Sequence, residues 1–504
     1  MRSKQALKNM SMALLLQVFQ LVMGLIMPRW IILVYGSTLN GLTSTINSLL
    51  SVISLLQAGA IGAAVYELYK PVSEKDYASV SRILHASDKY NRKIGYLFLV
   101  LSALIIPYFL WRQSGSGIDP IILVMGFVIL CVHTSFSFFF TAHYDVTFSS
   151  HQLVSLVSAG NFVEKLVYYG LYVIVLSLKL PFILLYISIL LGGIVKIVFF
   201  EIIFRKRFRP LLPRVEKTGN FKLQSTNKMF LLQISITVIN SSTTIIISHL
   251  YRLSLVSVYS VYAYINTAIL LLLNMMKNAV SPGFGNLAAS EDEKRTSEAF
   301  QNMHYLFILT GCFLYICMGF LFMPFIRLYT SGITDENYIV PSLVFFVMIN
   351  SIANSLSMPF FMITEAFGLF KISYKFEIPL AALSVVASFL CGRFWSLPSV
   401  LVGPFLFYFV SFVYLAILLK KRKPGFSMSY IFRRTAIIFV VPLSVFFLQN
   451  YVLKYFLSSW FEWILAGVVT AFSSAAIMAL YSIIFERKDL RKTAGYLKSL
   501  IKSR

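Results

Sequence analysis

One short segment concentrates side chains that can bind a charged or hydroxylated ligand. It reads SAGNFVEKLVYYGLY within an apolar stretch, and its polar residues share one face of a helix: Ser158, Asn161, Glu164, Lys165, Tyr168 and Tyr172. A charge at the centre of a membrane costs at least about 2.5–3.5 kcal/mol, so two adjacent charges indicate a partner or a function. Neighbours on a helix point about 100° apart, so Glu164 and Lys165 either compensate each other or pair with other helices.

Three further basic residues lie in or at the end of apolar stretches. Arg29 follows Pro28, which is predicted to kink its helix; Lys196 follows two glycines; and Lys277 ends a long apolar run. Each is a candidate for holding an anion. For Arg29 and Lys196 the alternative is a long side chain that reaches the membrane surface, and the place of Lys196 towards the end of its stretch favours that alternative.

Polar stripes at helical spacing mark other apolar stretches. One contains Asn40, Ser44, Asn47, Ser51 and Ser54, and another contains Tyr259, Tyr262, Asn266, Asn274, Lys277 and Ser281. Serine and threonine also pack helices together, whereas asparagine and charged residues favour a wet cavity. The residues predicted to bind a substrate are Arg29, Asn47, Asn161, Glu164, Lys165, Lys196, Asn266, Asn274 and Lys277.

No pattern of a catalytic site or a metal site stands out. His143, Asp145 and His151 are close in sequence but lack a coordination spacing, and the four cysteines lie inside apolar stretches. The sequence also lacks a nucleophile elbow and a phosphate-binding glycine loop. We therefore expect no catalytic residue, no metal and no cofactor, although a coupling ion such as H⁺ or Na⁺ stays open.

The elements that position these side chains are membrane helices. Of 504 residues, 58% are apolar and 13% are charged, which excludes a soluble protein. The net charge of +24 therefore reflects topology rather than nucleic-acid binding. We predict an all-α polytopic membrane protein with about 14 transmembrane helices, the first of them uncleaved. The predicted spans are 12–35, 41–68, 94–111, 119–141, 153–177, 181–204, 229–250, 254–281, 305–327, 338–364, 376–394, 399–419, 435–456 and 460–484.

Basic residues are distributed unequally between the two sides of these spans. Of the 44 lysines and arginines, 35 fall on the side of the N-terminus, six on the other side and three inside spans. Because basic loops stay in the cytoplasm, both termini are predicted to be cytoplasmic, in a multi-pass protein of the plasma (inner) membrane. No loop is long enough to fold as a domain.

The chain shows weak internal repetition. A shift of 219 residues places Ile46-Asn47 on Ile265-Asn266 and superimposes the first six spans on the next six. We predict two six-helix halves, 1–219 and 220–422, followed by two additional transmembrane helices and a basic cytoplasmic tail in 423–504.

Two stretches resemble a known transporter family. The stretch NGLTSTINSLLSVISLLQAGAIGAAVYELYKPVSEKDYASVSRIL, from Asn40 to Leu84, resembles the second span and first cytoplasmic loop of polysaccharide flippases of the Wzx type, in the MOP (multidrug, oligosaccharidyl-lipid, polysaccharide) superfamily. The stretch KNAVSPGFGNLAASEDEK, from Lys277 to Lys294, resembles the corresponding end of span eight.

The resemblance implies a fold and a function. The fold would be the two six-helix bundles of MOP flippases and MATE transporters, plus a C-terminal helix pair. The substrate would be an oligosaccharide repeat unit of O-antigen or capsule on polyprenyl pyrophosphate, moved from the inner to the outer leaflet by alternating access. Polysaccharide polymerase machinery would be a partner and nucleic acid would not. Basic residues in the spans suit the pyrophosphate, and Asn, Ser and Tyr stripes suit sugar hydroxyls.

Three alternatives stay open. A lipid II flippase would share the same pyrophosphate–polyprenol handle. A multidrug exporter would expel organic cations and need an acidic cavity, whereas Arg29, Lys165, Lys196 and Lys277 outnumber Glu164. A membrane polysaccharide polymerase or ligase would need a large outer region, which the predicted short loops do not provide.

Overall fold

The protein is an all-helical membrane protein. A computed structural model describes residues 2–213, 227–290, 292–423, 425–426, 428–453, 457–487 and 489–491, and all regular secondary structure in these residues is helical. Thirteen of the described helices are long and apolar enough to cross a membrane. The predicted seventh span is also a helix, Asn227–Leu250. The predicted all-α polytopic fold class is therefore confirmed.

The chain divides into two compact units, Met1–Ser257 (unit 1) and Val258–Arg504 (unit 2). The helices of unit 1 are α1 Arg2–Tyr35, α2 Ser37–Ser54, α3 Ala58–Glu74, α4 Tyr77–Gln113, α5 Pro120–Phe136, α6 Ala142–Ser150, α7 Val154–Ser177, α8 Ile183–Arg207, α9 Asn227–Leu250 and the start of α10 Leu253–Ala289. Two of the short irregular turns between them contribute to the site described below, a 3₁₀ turn Leu55–Gln57 and a π-helical turn Ser137–Thr141.

Unit 2 contains the remainder of α10 and the helices that follow. These are α11 Glu293–Tyr329, α12 Pro341–Ala366, α13 Phe370–Phe394, α14 Val402–Arg422, α15 Ile431–Phe447 and α16 Trp460–Phe485. The boundaries of the predicted halves stay predictions, and the one between 219 and 220 lies outside the described residues.

Close backbone contact and a buried polar bond hold α2 against the start of α10 in unit 1. A Cβ added to Gly41 would lie 1.8 Å from the carbonyl oxygen of Leu253. Beside it, the Asn40 side-chain amide donates to the Ser257 hydroxyl over 2.7 Å. Small residues and interhelical hydrogen bonds replace the hydrophobic effect as the cause of helix association inside a membrane.

A buried charge cluster fastens the C-terminal end of α16 in unit 2. The side chain of Arg434 is 1% exposed, and its guanidinium contacts both carboxylate oxygens of Glu486 at 3.1 Å and that of Asp489 at 2.8 Å. A further guanidinium nitrogen donates to the Gln301 carbonyl over 2.8 Å. Such bidentate, charge-assisted bonds are stronger and more directional than neutral ones.

Candidate functional site

The candidate site is a polar cavity inside unit 1. It has a volume of about 320 Å³, and helices α2, α3, α5, α7 and α8 contribute to it together with both irregular turns. Its lining consists of Ser54, Gln57, Ile61, His133, Thr134, Phe136, Ser137, Thr141, Glu164, Gly193 and Lys196. Eight of these eleven residues carry a hydroxyl, amide, imidazole or charged group, although the surrounding helices are apolar.

Glu164 is the centre of the charged part of this cavity. Its two carboxylate oxygens have different partners: Nε2 of His133 lies 3.0 Å from Oε1, and Nζ of Lys196 lies 3.0 Å from Oε2. Glu164 is buried and near the middle of α7, and Lys196 is near the middle of α8. The carboxylate is therefore held by two other helices inside the membrane, which offsets part of its desolvation.

Two glycines allow α8 to come close enough for this contact. A Cβ on Gly192 would lie 2.7 Å from the Glu164 carbonyl oxygen, and one on Gly193 would lie 2.8 Å from the ring of His133. Side chains at these positions would push α8 away from α7 and α5. The sequence Gly192-Gly193 therefore sets the distance between Lys196 and its partners.

A network of neutral hydrogen bonds forms the other part of the lining. The Gln57 amide donates to the Asn91 side-chain oxygen over 3.2 Å and to the Ser137 carbonyl over 3.0 Å. In return, the Ser137 hydroxyl donates to the Gln57 side-chain oxygen over 3.0 Å. Gln57 ends the 3₁₀ turn and Ser137 begins the π-helical turn. Departures from the α-helical ladder of this kind are frequent at functional sites.

A second carboxylate lies close to the charged groups. Asp145 on α6 interacts electrostatically with Lys196 and Glu164. Its Oδ1 atom is buried and has no hydrogen-bond partner among the described residues. A buried acceptor without a donor costs about 1–3 kcal/mol, so this oxygen of Asp145 can still accept a hydrogen bond.

Lys165 has a different environment from its neighbour Glu164. Its amine lies 3.5 Å from the Tyr168 hydroxyl and 5.4 Å from the centre of that ring. Within the part of the chain that the structure describes, no carboxylate lies within 4 Å of this amine. Glu164 therefore makes its close contacts with His133 and Lys196 on other helices, while Lys165 interacts with it electrostatically and without an ion pair within 4 Å.

Lys196 does not extend to the membrane surface. Its side chain is 16% exposed and faces the cavity, where it contacts Glu164. The alternative considered from the sequence, an amine at the membrane surface, is therefore wrong, because α8 continues to Arg207 and places Lys196 at mid-helix. A consequence is that Lys196 is neutralised and cannot be counted as an uncompensated cation.

The other predicted residues of unit 1 do not line this cavity. Arg29 lies in α1, half-buried, and α1 continues through Pro28 without ending. Asn47 is exposed on α2, and Asn161 is half-buried on α7, one turn before Glu164. Their predicted role in binding stays a prediction.

The remaining three predicted residues belong to unit 2, on α10. The Asn274 amide donates to the carbonyl of Leu270 over 3.0 Å, and Lys277 interacts electrostatically with Glu365 at the end of α12. The side-chain oxygen of Asn266 is buried without a described hydrogen-bond partner. Asn266 therefore keeps an acceptor free for a ligand, whereas the Asn274 amide is in part used by its own helix.

Sequence reasoning missed His133, Gln57 and Asn91. His133 lies inside a predicted span, and the rule that an ionisable residue in a membrane has a partner or a function applies to it as much as to lysine. Two of the three residues weighed as metal ligands have other partners: His143 shares a hydrogen bond of 2.9 Å with Asp88, and the ring of His151 contacts the Thr147 carbonyl at 2.8 Å.

The cavity can bind a ligand that is rich in hydroxyl groups. Serine, threonine and glutamine side chains accept and donate, and the Glu164–Lys196 pair adds charge-assisted bonds without a large net charge.

Comparisons with known proteins show the fold and not the family. No family model matches the chain, and no curated protein matches its sequence significantly. Its structure is similar to an inward-facing MATE multidrug resistance transporter of the MOP superfamily, with a TM-score of 0.68, 12% identity and coverage of 84% of this chain and 98% of that one. It is also similar to the lipid II flippase MurJ in an inward closed conformation, with a TM-score of 0.63, 14% identity and coverage of 94% and 99%.

A third similar structure is the bent form of the Vibrio cholerae MATE transporter VcmN, with a TM-score of 0.56, 12% identity and coverage of 84% and 98%. The chain therefore has the fold of MOP superfamily transporters.

Proposed function

We propose that this protein is a flippase that moves polyprenyl-pyrophosphate-linked oligosaccharide repeat units from the inner to the outer leaflet, by alternating access, for surface polysaccharide assembly. The observation that carries the proposal is the environment of Lys165. Its amine lies at mid-helix in a membrane span, and the adjacent Glu164 is committed to Lys196 and His133. Glu164 acts on Lys165 only electrostatically, and an anionic headgroup would supply a counter-charge in direct contact with the amine.

The cavity supports a glycosylated substrate. Its neutral hydrogen-bonding groups suit hydroxyls, and a polyprenyl tail would stay in the lipid around the helices. The similarity to the lipid II flippase extends over 94% of this chain, which is compatible with a lipid-linked substrate.

A lipid II flippase is the second candidate, because its substrate carries the same pyrophosphate handle. A multidrug exporter is compatible with the fold as well, but an organic cation would meet repulsion from Lys165 rather than neutralise it.

The test is Lys165→Gln, which removes the charge and keeps most of the side-chain length. Because Glu164 has other partners, this change does not leave it unpaired. We expect the flipping rate of a fluorescent polyprenyl-pyrophosphate sugar in proteoliposomes to fall about tenfold or more, the equivalent of one charge-assisted hydrogen bond.

The matched control is Lys179→Gln, an exposed lysine in the turn that follows the same helix. It should flip at the rate of the unchanged protein. In cells that lack the gene, the Lys165 variant should accumulate lipid-linked repeat units in the inner leaflet. Normal flipping by Lys165→Gln at normal membrane abundance would contradict the proposal.

A further inference from the structure

A second cavity in unit 1 lies on the other face of the π-helical turn. It has a volume of about 250 Å³ and is lined by Asp88, Arg92, Phe138, Phe139, Phe140, His143, Tyr144, Glu201 and Phe204. Ser137 and Thr141, at the two ends of the π-helical turn, line the first cavity, whereas the three phenylalanines between them line the second. One irregular turn thus separates a charged cavity from an aromatic one.

The polar groups of this cavity are held in fixed orientations. The carboxylate of Asp88 on α4 shares a hydrogen bond of 2.9 Å with Nδ1 of His143. The Tyr144 hydroxyl donates to Glu201 on α8 over 2.5 Å, and Arg205 forms an ion pair with the same carboxylate. Each carboxylate therefore keeps lone pairs for a ligand while its position is set by the protein.

The charges of this group cancel. Asp88, Glu201 and Arg92 line the cavity, and Arg205 pairs with Glu201 from outside the lining, so the charges of these four side chains balance. A ligand with many hydroxyl groups and no charge can use carboxylate, guanidinium and imidazole groups at once.

Aromatic faces complete the lining. The rings of His143 and Phe204 are 4.8 Å apart, those of Tyr144 and Phe204 are 5.5 Å apart, and Phe140 is 51% exposed. A flat apolar face beside fixed polar groups matches a sugar ring, whose C–H face is apolar and whose edge carries hydroxyls. A volume of 250 Å³ is below that of a drug-sized site, and it suits one ring rather than an oligosaccharide.

We infer that the cavity lined by Asp88, Phe140, His143, Tyr144 and Glu201 is a binding subsite for one uncharged hexose or N-acetylhexosamine residue. The inference rests on the proposed function, because it assigns part of the same lipid-linked substrate. Asp88 lies about 17 Å along α4 from its start at Tyr77, on the side of the membrane predicted to be cytoplasmic. A sugar headgroup of the inner leaflet is found at that side.

The test compares lipids with and without a sugar. Native mass spectrometry of the purified protein would measure binding of polyprenyl pyrophosphate, bare or carrying glucose, galactose, N-acetylglucosamine or N-acetylgalactosamine. We expect at least one glycosylated lipid to bind about tenfold more tightly than the bare lipid. The double variant Asp88→Asn, Glu201→Gln should reduce this preference below twofold while the bare lipid binds as before.

Two controls and a second variant separate binding from folding. Glu74→Gln changes an exposed glutamate that is also paired with a basic residue four positions away, and it should keep the preference. Phe140→Leu keeps an apolar side chain but removes the ring, and it should weaken the preference even if the double variant does not fold. Phe472→Leu, at an exposed site on α16, should have no effect. A preference that persists in both cavity variants, or no preference in the unchanged protein, would overturn the subsite.

If the proposed function is wrong, the binding measurements differ from those expected when only the sugar subsite is wrong. If no pyrophosphate lipid binds, the flippase proposal fails, and saturation-transfer NMR with the four free sugars then decides the subsite alone. Binding by the unchanged protein that is lost in Phe140→Leu would support it, and absence of binding would refute it.

Discussion

At the residue scale, the Glu164–Lys196 pair determines how the charged cavity tolerates substitution. Both side chains lie at mid-helix and are mostly buried, with the Lys196 amine 3.0 Å from the Glu164 carboxylate. Without Lys196, Glu164 would keep its contact with His133 but lose its ion pair, and breaking a buried ion pair costs about 3–5 kcal/mol. We therefore expect Lys196→Met to lower the Tm of the purified protein strongly, as measured by its thermal aggregation in detergent.

The double variant Lys196→Met, Glu164→Gln should recover most of that loss, because no unpaired charge remains. Lys70→Met provides the comparison, since the Lys70–Glu74 pair is exposed and such pairs contribute little. Equal Tm values for Lys196→Met and Lys70→Met would show that the buried pair does not stabilise unit 1.

The sequence was sufficient to select Glu164 and Lys196 as candidate site residues, but not to predict that they form an ion pair with each other. Glu164 and Lys165 are visible as two charges inside one apolar segment and Lys196 as a charge inside the next, and helical geometry shows that neighbouring side chains diverge. The partners of Glu164 are 31 and 32 positions away, at His133 and Lys196, and their choice depends on how three helices pack. Helix packing of this kind is not encoded in the spacing along any single helix.

At the element scale, Gly192 sets how closely α8 approaches α7. A methyl group there would lie 2.7 Å from the backbone carbonyl oxygen of Glu164, and backbone cannot move aside as a side-chain end can. We expect Gly192→Ala to lower the Tm and to reduce transport, because α8 must shift and Lys196 with it. Thermal unfolding followed by tryptophan fluorescence would measure the first effect.

Gly170→Ala is the matched control on α7, where an added Cβ meets nothing within 4 Å. Alanine favours helix over glycine by about 1 kcal/mol, so this variant should be as stable as the unchanged protein or more stable. A lower Tm for Gly170→Ala than for Gly192→Ala would contradict the close-approach explanation.

The Arg434 cluster at the end of α16 should make unit 2 sensitive to acid. Burial alone would raise the pKa of Glu486, but hydrogen bonds from Arg434 and Arg433 outweigh it and hold that pKa at about 2, below the ordinary 4.5. A carboxylate with a lowered pKa stabilises the folded state above its ordinary pKa, and this contribution is lost as the pH falls towards 2. We expect the Tm to fall between pH 4.5 and pH 2.

The variant Glu486→Gln tests whether Glu486 is the group whose protonation lowers the Tm in acid. This variant should have a lower Tm at pH 7, and its Tm should change less between pH 4.5 and pH 2 than that of the unchanged protein. Glu74→Gln, in an exposed pair, should follow the unchanged protein at every pH. Parallel curves for Glu486→Gln and the unchanged protein would exclude Glu486 as the titrating group.

The membrane spans are the part of the fold that sequence reasoning predicts well. Among the residues that the structure describes, each of the fourteen predicted spans overlaps helices, because about 20 consecutive apolar residues have few other solutions in lipid. The 3₁₀ turn at Gln57 and the π-helical turn at Ser137 were not predicted. Their residues are as apolar or as hydroxylated as their neighbours, and the hydrogen bonds between them form only when α3, α4 and α5 pack together.

At the scale of the whole molecule, the exposed surface of the helices is the surface of a protein solvated by lipid. On α16, Phe461, Phe472 and Ile484 are 76%, 75% and 65% exposed. In water such apolar area would cause aggregation, whereas hydrocarbon solvates it. Charged side chains withdrawn from the lipid include the Glu164–Lys196 pair and the Arg434 cluster.

The distribution of charge over the loops predicts the orientation of the molecule in the membrane. Helix α4 has 37 residues and is about 55 Å long, which exceeds the roughly 30 Å of hydrocarbon, so Ser73 and Ser114, just beyond its two ends, lie on opposite sides. With 35 basic residues against six, the side of Ser73 is predicted to be cytoplasmic.

An impermeant maleimide should therefore label Ser114→Cys in intact cells and should label Ser73→Cys only after the cells are opened. Both serines are exposed, so each variant should fold normally, and the four native cysteines in the spans provide the unlabelled background. The reverse labelling pattern would mean that the protein has the opposite orientation in the membrane. The cavity lined by Asp88 and Glu201 would then lie on the side of the outer leaflet, where a flippase of the proposed direction releases its substrate.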